Sequence, residues 1–241
     1  PKPEPEPKDT LLEEEKVHLD IWHYQDKRLQ TEQLENRKKD LRKNYLAVYH
    51  VNEEKVVQLG NEIPPEIDLE WHGNTETALG THTRSYEERK SYESPGYADY
   101  YIVDVRTGQR KLMLEETQNP VLLSPEGKYA PYYNYTDSAW YSYNTQNGDT
   151  RNLTGGLDVP FYNVEHDYPM DAFPYFYAGW TEDDKYTLLY DEFDIWKVDP
   201  SGKEEPVRLT RGREEQIRYR YVNLDREQPY INYRKPVLVK A

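Results

Sequence analysis

The side chains that could do chemistry lie in two polar segments of the chain. Glu165, His166 and Asp167 are consecutive in a long segment rich in aromatic residues. Glu87 and Glu88 are adjacent in a second polar segment. Long connections on a rigid scaffold often hold binding groups, so these five residues are candidate substrate contacts. The alternative is that they are solvated loop residues, which is the usual environment of carboxylates.

Neither a metal site nor a nucleophilic serine is predicted. Zinc needs three or four converging ligands, whereas the chain has no Cys and six scattered His with no i, i+4 pair. No metal or other cofactor is therefore expected. None of the serines has Gly on both sides in the Gly-x-Ser-x-Gly pattern that exposes the nucleophile of α/β-hydrolases. We therefore predict no catalytic residue in this chain.

Composition restricts the partners and the kind of core. The chain has 241 residues and a formal net charge of −14. Such a chain repels nucleic-acid phosphates and anionic lipids, so neither is an expected partner. No apolar run reaches the roughly 18 residues of a transmembrane helix, so no membrane insertion is predicted. The 24 Tyr compensate for a low apolar fraction, because a buried ring contributes apolar area while its hydroxyl finds a polar partner.

Two stretches of the chain repeat one pattern. Each begins with a polar turn before Lys-Tyr, continues to a central Trp, and ends in Leu-Thr after a Gly turn. A unit of short strands repeated with a period on the order of 50 residues is typical of a β-propeller or a related array. The recurring residues that we predict to pack one repeat against the next are Trp140, Trp196, Leu153 and Leu209.

Turn signals divide the chain into units of four short strands. We therefore predict an all-β fold, a partial β-propeller with about three full four-stranded antiparallel blades and a partial blade at each end. One surface helix is expected in the charged segment 26–43, and a strand in Leu19–Tyr24. Sheet edges left open by the partial blades predict self-association with another copy. The predicted bounds are a Pro/Glu-rich linker over 1–16, a propeller segment over 17–241, partial blades over 17–60 and 217–241, and full blades over 63–116, 120–156 and 174–212.

Several segments of the chain are similar to those of a known family. They are Ser124–Tyr129, Tyr101–Val105, Asp194–Asp199, Leu19–His23 and Pro160–Asp167. These segments resemble the β-propeller of the prolyl oligopeptidase family of serine peptidases, and in particular its dipeptidyl-peptidase-like bacterial members. The resemblance covers most of the predicted propeller segment, and its blade motifs are shared with propellers of the TolB type.

The resemblance implies that the chain is one part of a peptidase. In that family the propeller caps an α/β-hydrolase domain that carries a Ser, an Asp and a His, and it admits oligopeptides while excluding folded proteins. An exported or periplasmic parent protein is also implied. Dipeptidyl-peptidase propellers bind the free amino terminus of a peptide with two Glu residues, a role that Glu87 and Glu88 would take here. The sequence around these two residues differs from that family's Glu-pair segment.

Two other functions stay open at this point. A TolB-type propeller would act alone as a binding module for a protein partner, and it would form a closed, monomeric ring. A propeller glycoside hydrolase would need two carboxylates roughly 5 to 9.5 Å apart across a central pocket. Asp104 and Asp199 recur, but both precede Gly turns, where Asp is a common turn residue. The leading expectation is a substrate-filtering propeller segment that is inactive by itself.

Overall fold

The computed structural model describes residues 19, 21–70, 75–225 and 227–241. The described part is mostly β, with 32% of the residues in strands and 12% in helices. The chain divides into two compact units, Pro1–Lys43 and Asn44–Ala241. The first unit holds the segment predicted to be a Pro/Glu-rich linker, which lies outside the described residues.

The described part of the first unit contains the helix α1 (Gln30–Leu41). Its sequence lacks Gly and Pro, and Arg28 forms ion pairs with Glu32 at 3.4 Å and with Asp40 at 2.8 Å. All of its residues are at least partly exposed, as expected for a charged helix without a wide apolar stripe. The surface helix predicted over 26–43 is therefore present, with shorter bounds.

The strand predicted over Leu19–Tyr24 is wrong for the residues that the structure describes there. Leu19 and Ile21 are exposed, and the backbone is irregular. The Asp26 carboxylate accepts a hydrogen bond from the His23 N–H at 2.9 Å, and the Asp26 N–H donates to the His23 carbonyl at 2.9 Å. This local turn uses backbone groups that a strand would need for pairing.

In its described residues the second unit contains five antiparallel sheets, each built from strands that are consecutive in the chain. Sheet 1 comprises β1 (Ala47–His50) and β2 (Lys55–Gln58). Sheet 2 comprises β3 (Glu66–Asp68), β4 (Thr77–His82), β5 (Ala98–Asp104) and β6 (Arg110–Thr117). Sheet 3 comprises β7 (Tyr129–Asn134), β8 (Ala139–Asn144) and β9 (Thr150–Asn152). Sheet 4 comprises β10 (Tyr177–Trp180), β11 (Thr187–Tyr190), β12 (Ile195–Val198) and β13 (Val207–Arg208), and sheet 5 comprises β14 (Arg220–Tyr221) and β15 (Val239–Lys240).

Four-stranded sheets occupy the predicted bounds 63–116 and 174–212, whereas the bounds 120–156 contain a three-stranded sheet. The missing first strand is reduced to a bridge between Val121 and Tyr132. Pro131 explains the reduction. Its carbonyl accepts a hydrogen bond from the Leu122 N–H at 3.0 Å, but proline has no N–H with which to return one.

The sheets pack against one another in chain order. Four clusters of buried apolar residues join sheet 1 to sheet 2, sheet 2 to sheet 3, sheet 3 to sheet 4 and sheet 4 to sheet 5. Consecutive residues of a strand point to opposite faces of a sheet, so neighbours in sequence enter different clusters. The pairs divided in this way are Ala78 and Leu79, Ile102 and Val103, Tyr132 and Tyr133, and Leu188 and Leu189.

The two tryptophans of the repeat do not occupy equivalent positions. The Leu153 N–H donates to the Trp140 carbonyl and the Leu209 N–H donates to the Ile195 carbonyl, each at 2.8 Å. Trp140 therefore corresponds to Ile195, and Trp196 is displaced by one residue. Both tryptophans consequently contact the cluster between sheets 3 and 4, where Trp140 is only 1% exposed.

The two repeat leucines differ in burial, although their hydrogen bonds match. Leu153 belongs to the cluster between sheets 3 and 4. Leu209 is 42% exposed, which does not fit the packing role predicted for it. The reason is the size of the neighbouring sheet, because the two strands of sheet 5 have only two residues each and leave this leucine uncovered.

Antiparallel strands reverse direction at every connection, so the connections alternate between two ends of each sheet. Contacts between successive sheets show that the corresponding ends lie together: Gln118 donates to the Pro95 carbonyl at one end, and Thr75 donates to the Glu126 carbonyl at the other. We call the first the loop end and the second the turn end. The loop end gathers the connections 83–97, 118–120, 135–138, 153–176, 191–194 and 209–219, and the turn end gathers 105–109, 122–128, 145–149, 181–186 and 199–206.

The turn end repeats one arrangement of hydrogen bonds. The Ser124 hydroxyl oxygen accepts from the Tyr129 N–H at 3.0 Å, and the Thr181 hydroxyl oxygen accepts from the Tyr186 N–H at 3.0 Å. A side-chain oxygen that binds a nearby backbone N–H closes such a turn at low conformational cost. The repeat seen in the sequence is therefore present at the level of individual hydrogen bonds.

Asp184 joins the two equivalent turns. Its buried carboxylate accepts hydrogen bonds from the Ser124 hydroxyl at 2.5 Å, from the Glu126 N–H at 3.1 Å and from the Lys128 N–H at 3.3 Å. In the repeat alignment Asp184 stands where the first repeat has Gly127, and both residues have positive φ, 55° and 68°. A position predicted only as a turn thus holds the polar contact between sheets 3 and 4.

We expect Asp184→Asn to lower the free energy of unfolding by about 1–3 kcal/mol, because an amide cannot accept all three of these hydrogen bonds. Asp183→Asn is the matched control, since Asp183 is adjacent, exposed and also has positive φ. It should change stability by about 0.5 kcal/mol or less. Urea unfolding followed by tyrosine and tryptophan fluorescence measures both. Equal effects of the two substitutions would contradict the role given to Asp184.

Opposite pH dependences are expected for Asp184 and Asp199. Burial raises the pKa of Asp184. Burial would also raise the pKa of Asp199, but hydrogen bonds from Ser201, Glu204 and Lys203 outweigh it and lower this pKa. The pH-dependent part of the Asp184 contribution is therefore complete below its unfolded pKa of about 3.9 and is lost as the pH rises through its folded pKa, while the hydrogen bonds to the ionised carboxylate remain. The stabilisation from Asp199 is complete above about pH 3.9 and is lost as the pH falls through its folded pKa.

The measurement is urea unfolding of the wild type, Asp184→Asn and Asp199→Asn between about pH 3 and pH 7. The difference between wild type and Asp184→Asn should shrink as the pH rises. The difference between wild type and Asp199→Asn should shrink as the pH falls. Differences that change in the same direction would show that the environments of the two carboxylates are wrongly assigned.

Candidate functional site

The loop end brings together the two polar segments that contain the candidate residues. The connection 83–97 of sheet 2 and the connection 153–176 between sheets 3 and 4 form opposite walls of a groove of about 770 Å³. We call it the tyrosine groove. Its lining residues are Tyr92, Glu93, Ser94, Pro95, Tyr97, Gln118, Tyr135, Tyr168, Pro169, Met170 and Asp171.

The first wall is held to sheet 2 by a buried carboxylate. A 3₁₀ helix over Arg84–Ser91 leads into this wall. The Tyr86 hydroxyl donates to the Asp99 carboxylate at 2.5 Å, and the Glu116 N–H donates to the same oxygen at 2.9 Å. Burial, together with the neighbouring Asp99 carboxylate, raises the pKa of Tyr86. The hydroxyl therefore keeps its proton and acts as a hydrogen-bond donor that fixes the helix on the sheet.

Arg89 connects Glu116 of β6 with the ring of Tyr97, which lines the groove. Its guanidinium pairs with Glu116 at 2.7 Å and lies 4.9 Å from the centre of the Tyr97 ring. A guanidinium at this distance from an aromatic face is attracted by the ring electrons. Gln118 completes the wall, because its side-chain amide donates to the Pro95 carbonyl at 2.6 Å. The ring of Tyr97 is thus held in a defined orientation at the groove.

His166 shapes the opposite wall. Its Nε2 lies 3.1 Å from the Met170 carbonyl oxygen, and its ring contacts Tyr168 and Phe173 with centroid distances of 5.4 and 5.8 Å. Phe173 in turn lies 6.3 Å from the ring of Tyr135. His166 was predicted to contact substrate, but the structure places it behind the residues that line the groove.

The predicted cluster of Glu165, His166 and Asp167 is separated in the structure. Glu165 is directed to Arg218 at 3.2 Å, and Arg218 also pairs with Glu192 at 2.9 Å. Asp167 is exposed. These side chains therefore connect two loops of the loop end, and they do not form one polar site.

Glu87 and Glu88 lie on the 3₁₀ helix, where Glu87 is half-buried and Glu88 is exposed. Neither lines the tyrosine groove, whereas Glu93 of the same connection does. The sequence did contain a signal for this site. Large aromatic residues such as Tyr92, next to Pro and Gly in a polar connection, have no strand to support and are available for contacts at the surface.

Metal ligands and a nucleophilic serine are the two kinds of group that would give the chain a chemistry of its own. No group of three or more His, Cys, Asp or Glu that could hold a metal ion is found among the described residues. The Ser85 hydroxyl lies 3.0 Å from His82 Nε2. A serine next to an imidazole is the beginning of a nucleophilic site, although Ser85 lies on the 3₁₀ helix and not at a strand–turn–helix elbow. Any search for covalent chemistry should therefore be directed at Ser85.

The helices that the structure describes include none with the length and apolar character needed to cross a bilayer. Comparison with known proteins gave no matching family model and no significant match to a curated protein. The function of the loop end must therefore be argued from its geometry.

Arg218→Gln should make the connection 153–176, one wall of the tyrosine groove, more mobile without unfolding the protein. Exposed ion pairs contribute about 1 kcal/mol or less, and Arg218 and Glu165 are both largely exposed. We expect a change in global stability below about 1 kcal/mol, together with faster hydrogen exchange of the amides in 163–170. Arg211→Gln, at an exposed position of the same segment, should change neither quantity. Unchanged exchange in Arg218→Gln would show that the ion pairs do not order this loop.

Proposed function

We propose that this chain is the non-catalytic propeller segment of a prolyl-oligopeptidase-family serine peptidase. In this role it selects oligopeptide substrates and docks on an α/β-hydrolase domain. The observation that carries the proposal is the serial packing of antiparallel sheets, with a groove lined by several of the connections at one end. Four-stranded sheets stacked in chain order are the building principle of a propeller, in which function resides at one end of the ring.

The lining of the groove favours peptides as ligands. Tyrosine rings offer apolar contact to the side chains of an extended peptide, and their hydroxyls offer hydrogen bonds to its backbone. The prolines and Met170 add apolar surface that adapts to different side chains. A surface of this kind binds short flexible chains with low selectivity, which suits a filter better than it suits a site for one small molecule.

The absence of the Gly-x-Ser-x-Gly pattern from the sequence supports an inactive role for this chain by itself. The most direct test uses a fluorescent fluorophosphonate, which labels activated serines. We expect no labelling of the wild type, and the same result for Ser85→Ala. Labelling that disappears in Ser85→Ala would identify a nucleophile in this chain and would overturn the non-catalytic role.

Peptide binding is the complementary measurement. Fluorescein-labelled oligopeptides of about 5–10 residues should bind with dissociation constants between about 10 µM and 1 mM, as expected for a filter that releases its substrates. A folded protein carrying the same label should not bind. Turnover of an aryl glycoside would instead support a glycoside hydrolase. Failure of all peptides to bind, in a closed monomeric ring, would support a TolB-type binding module.

A further inference from the structure

We propose that the tyrosine groove binds a positively charged side chain, the guanidinium of Arg or the ammonium of Lys, with Glu93 as its counter-ion. The proposal specifies the ligand of the loop end and rests on the proposed function for the statement that the ligand is a peptide. The guanidinium would lie against the tyrosine rings and donate its hydrogen bonds to the Glu93 carboxylate.

The first observation is an unsatisfied carboxylate oxygen. Oε2 of Glu93 is buried and accepts no hydrogen bond from any residue that the structure describes. A buried carboxylate oxygen without a donor is unfavourable, because desolvation is not compensated. Such an atom in the wall of a groove indicates that the donor comes from outside the chain. Because Glu93 lines the groove and its last side-chain torsion is soft, a rotation about that torsion would bring this oxygen to the groove.

The second observation is the arrangement of aromatic rings. Tyr92 and Tyr168 lie on opposite walls and are 68% and 69% exposed, which is high for rings of this size. Tyr97 and Tyr135 also line the groove. Faces of aromatic rings attract cations, and a guanidinium can stack on them while its edge donates to a carboxylate. Tyrosine rings around one carboxylate therefore match a cation with an apolar stem.

The third observation is the charge of the groove. Asp171 lines it together with Glu93. After burial, a hydrogen bond between Tyr97 and the Glu93 carboxylate is the next cause that raises the pKa of Tyr97, and the charge of Asp171 is the next cause that raises the pKa of Tyr135. Each carboxylate therefore acts on a tyrosine that lines the groove. An anionic ligand would be repelled, and a neutral ligand would desolvate Glu93 further without supplying a strong donor.

Arg89 does not already fill this role. Its guanidinium lies 4.9 Å from the centre of the Tyr97 ring, so the ring accepts a guanidinium partner. Its charge is paired with Glu116 at 2.7 Å, and the Glu93 carboxylate also attracts it, which contributes to the raised pKa of Arg89. The guanidinium of Arg89 is thus shared between two carboxylates, and Asp171 adds a third at the groove, so a second cation has a place there.

The test compares two peptides that differ only in charge. An acetylated, amidated, fluorescein-labelled peptide with a single central Arg is compared with its citrulline analogue, which has the same shape and no charge. Acetylation removes the terminal ammonium, so only the side chain is tested. At about 0.15 M salt the wild type should bind the Arg peptide about tenfold more tightly, which is the gain expected from a charge-assisted hydrogen bond.

Three variants locate the preference. Glu93→Gln keeps the size of the side chain and should reduce the ratio between the two peptides to about one. Tyr92→Leu removes an exposed ring and should weaken binding of the Arg peptide more than binding of the citrulline peptide. Glu115→Gln is the matched control, an exposed glutamate on β6 of the same sheet that does not line the groove, and it should retain the wild-type ratio.

Each outcome decides the proposal. Equal binding of both peptides by the wild type overturns the cation site and leaves the proposed peptide filter intact. A preference that survives in Glu93→Gln shows that the charge is recognised elsewhere, which also overturns it. Failure of both peptides to bind overturns the cation site and the proposed function together.

Discussion

The burial of both faces of each inner sheet is the constraint on which the second unit depends. A small sheet is stable only when its apolar faces are packed, and here neighbouring residues such as Ile102 and Val103 enter different apolar clusters. Each inner sheet therefore needs a neighbour on both sides. The chain satisfies this need by repeating similar units in sequence, so stability is built up interface by interface.

Because of this arrangement, the turn end and the loop end of the stack are under different structural constraints. The turn end is regular, since Ser124 and Thr181 close equivalent turns and Asp184 joins these two turns across sheets 3 and 4. The loop end has no such requirement, and long connections can accumulate there without disturbing the packing. Exposed tyrosines and an unpaired carboxylate oxygen on Glu93 are tolerable at the loop end because the sheets beneath it are already stable.

The sequence predicted the periodic features and missed those that depend on contacts distant in the chain. Alternation, Gly turns and the Leu-Thr pairs predicted the outer bounds of sheets 2 and 4 within a few residues. The one-residue offset between Trp140 and Trp196 was not visible, because it depends on register across a sheet. Asp184 looked like any turn residue, and its partners are some 60 positions away in the chain. The tyrosine groove was missed because its rings come from three separate segments. The strand predicted over Leu19–Tyr24 rested on composition alone, and Leu19 and Ile21 are exposed.

Hydrogen exchange with and without a bound oligopeptide tests most directly the claim that the loop end is the functional surface. We expect the backbone amides of the connections 83–97 and 153–176 to exchange more slowly when the peptide is bound, and those of the turns 122–128 and 181–186 to exchange at an unchanged rate. Protection confined to those turns, or spread evenly over the sheets, would contradict that claim. Protection confined to the turns would show that the peptide binds at the turn end. Protection spread evenly over the sheets would show that the peptide stabilises the fold as a whole without occupying the groove.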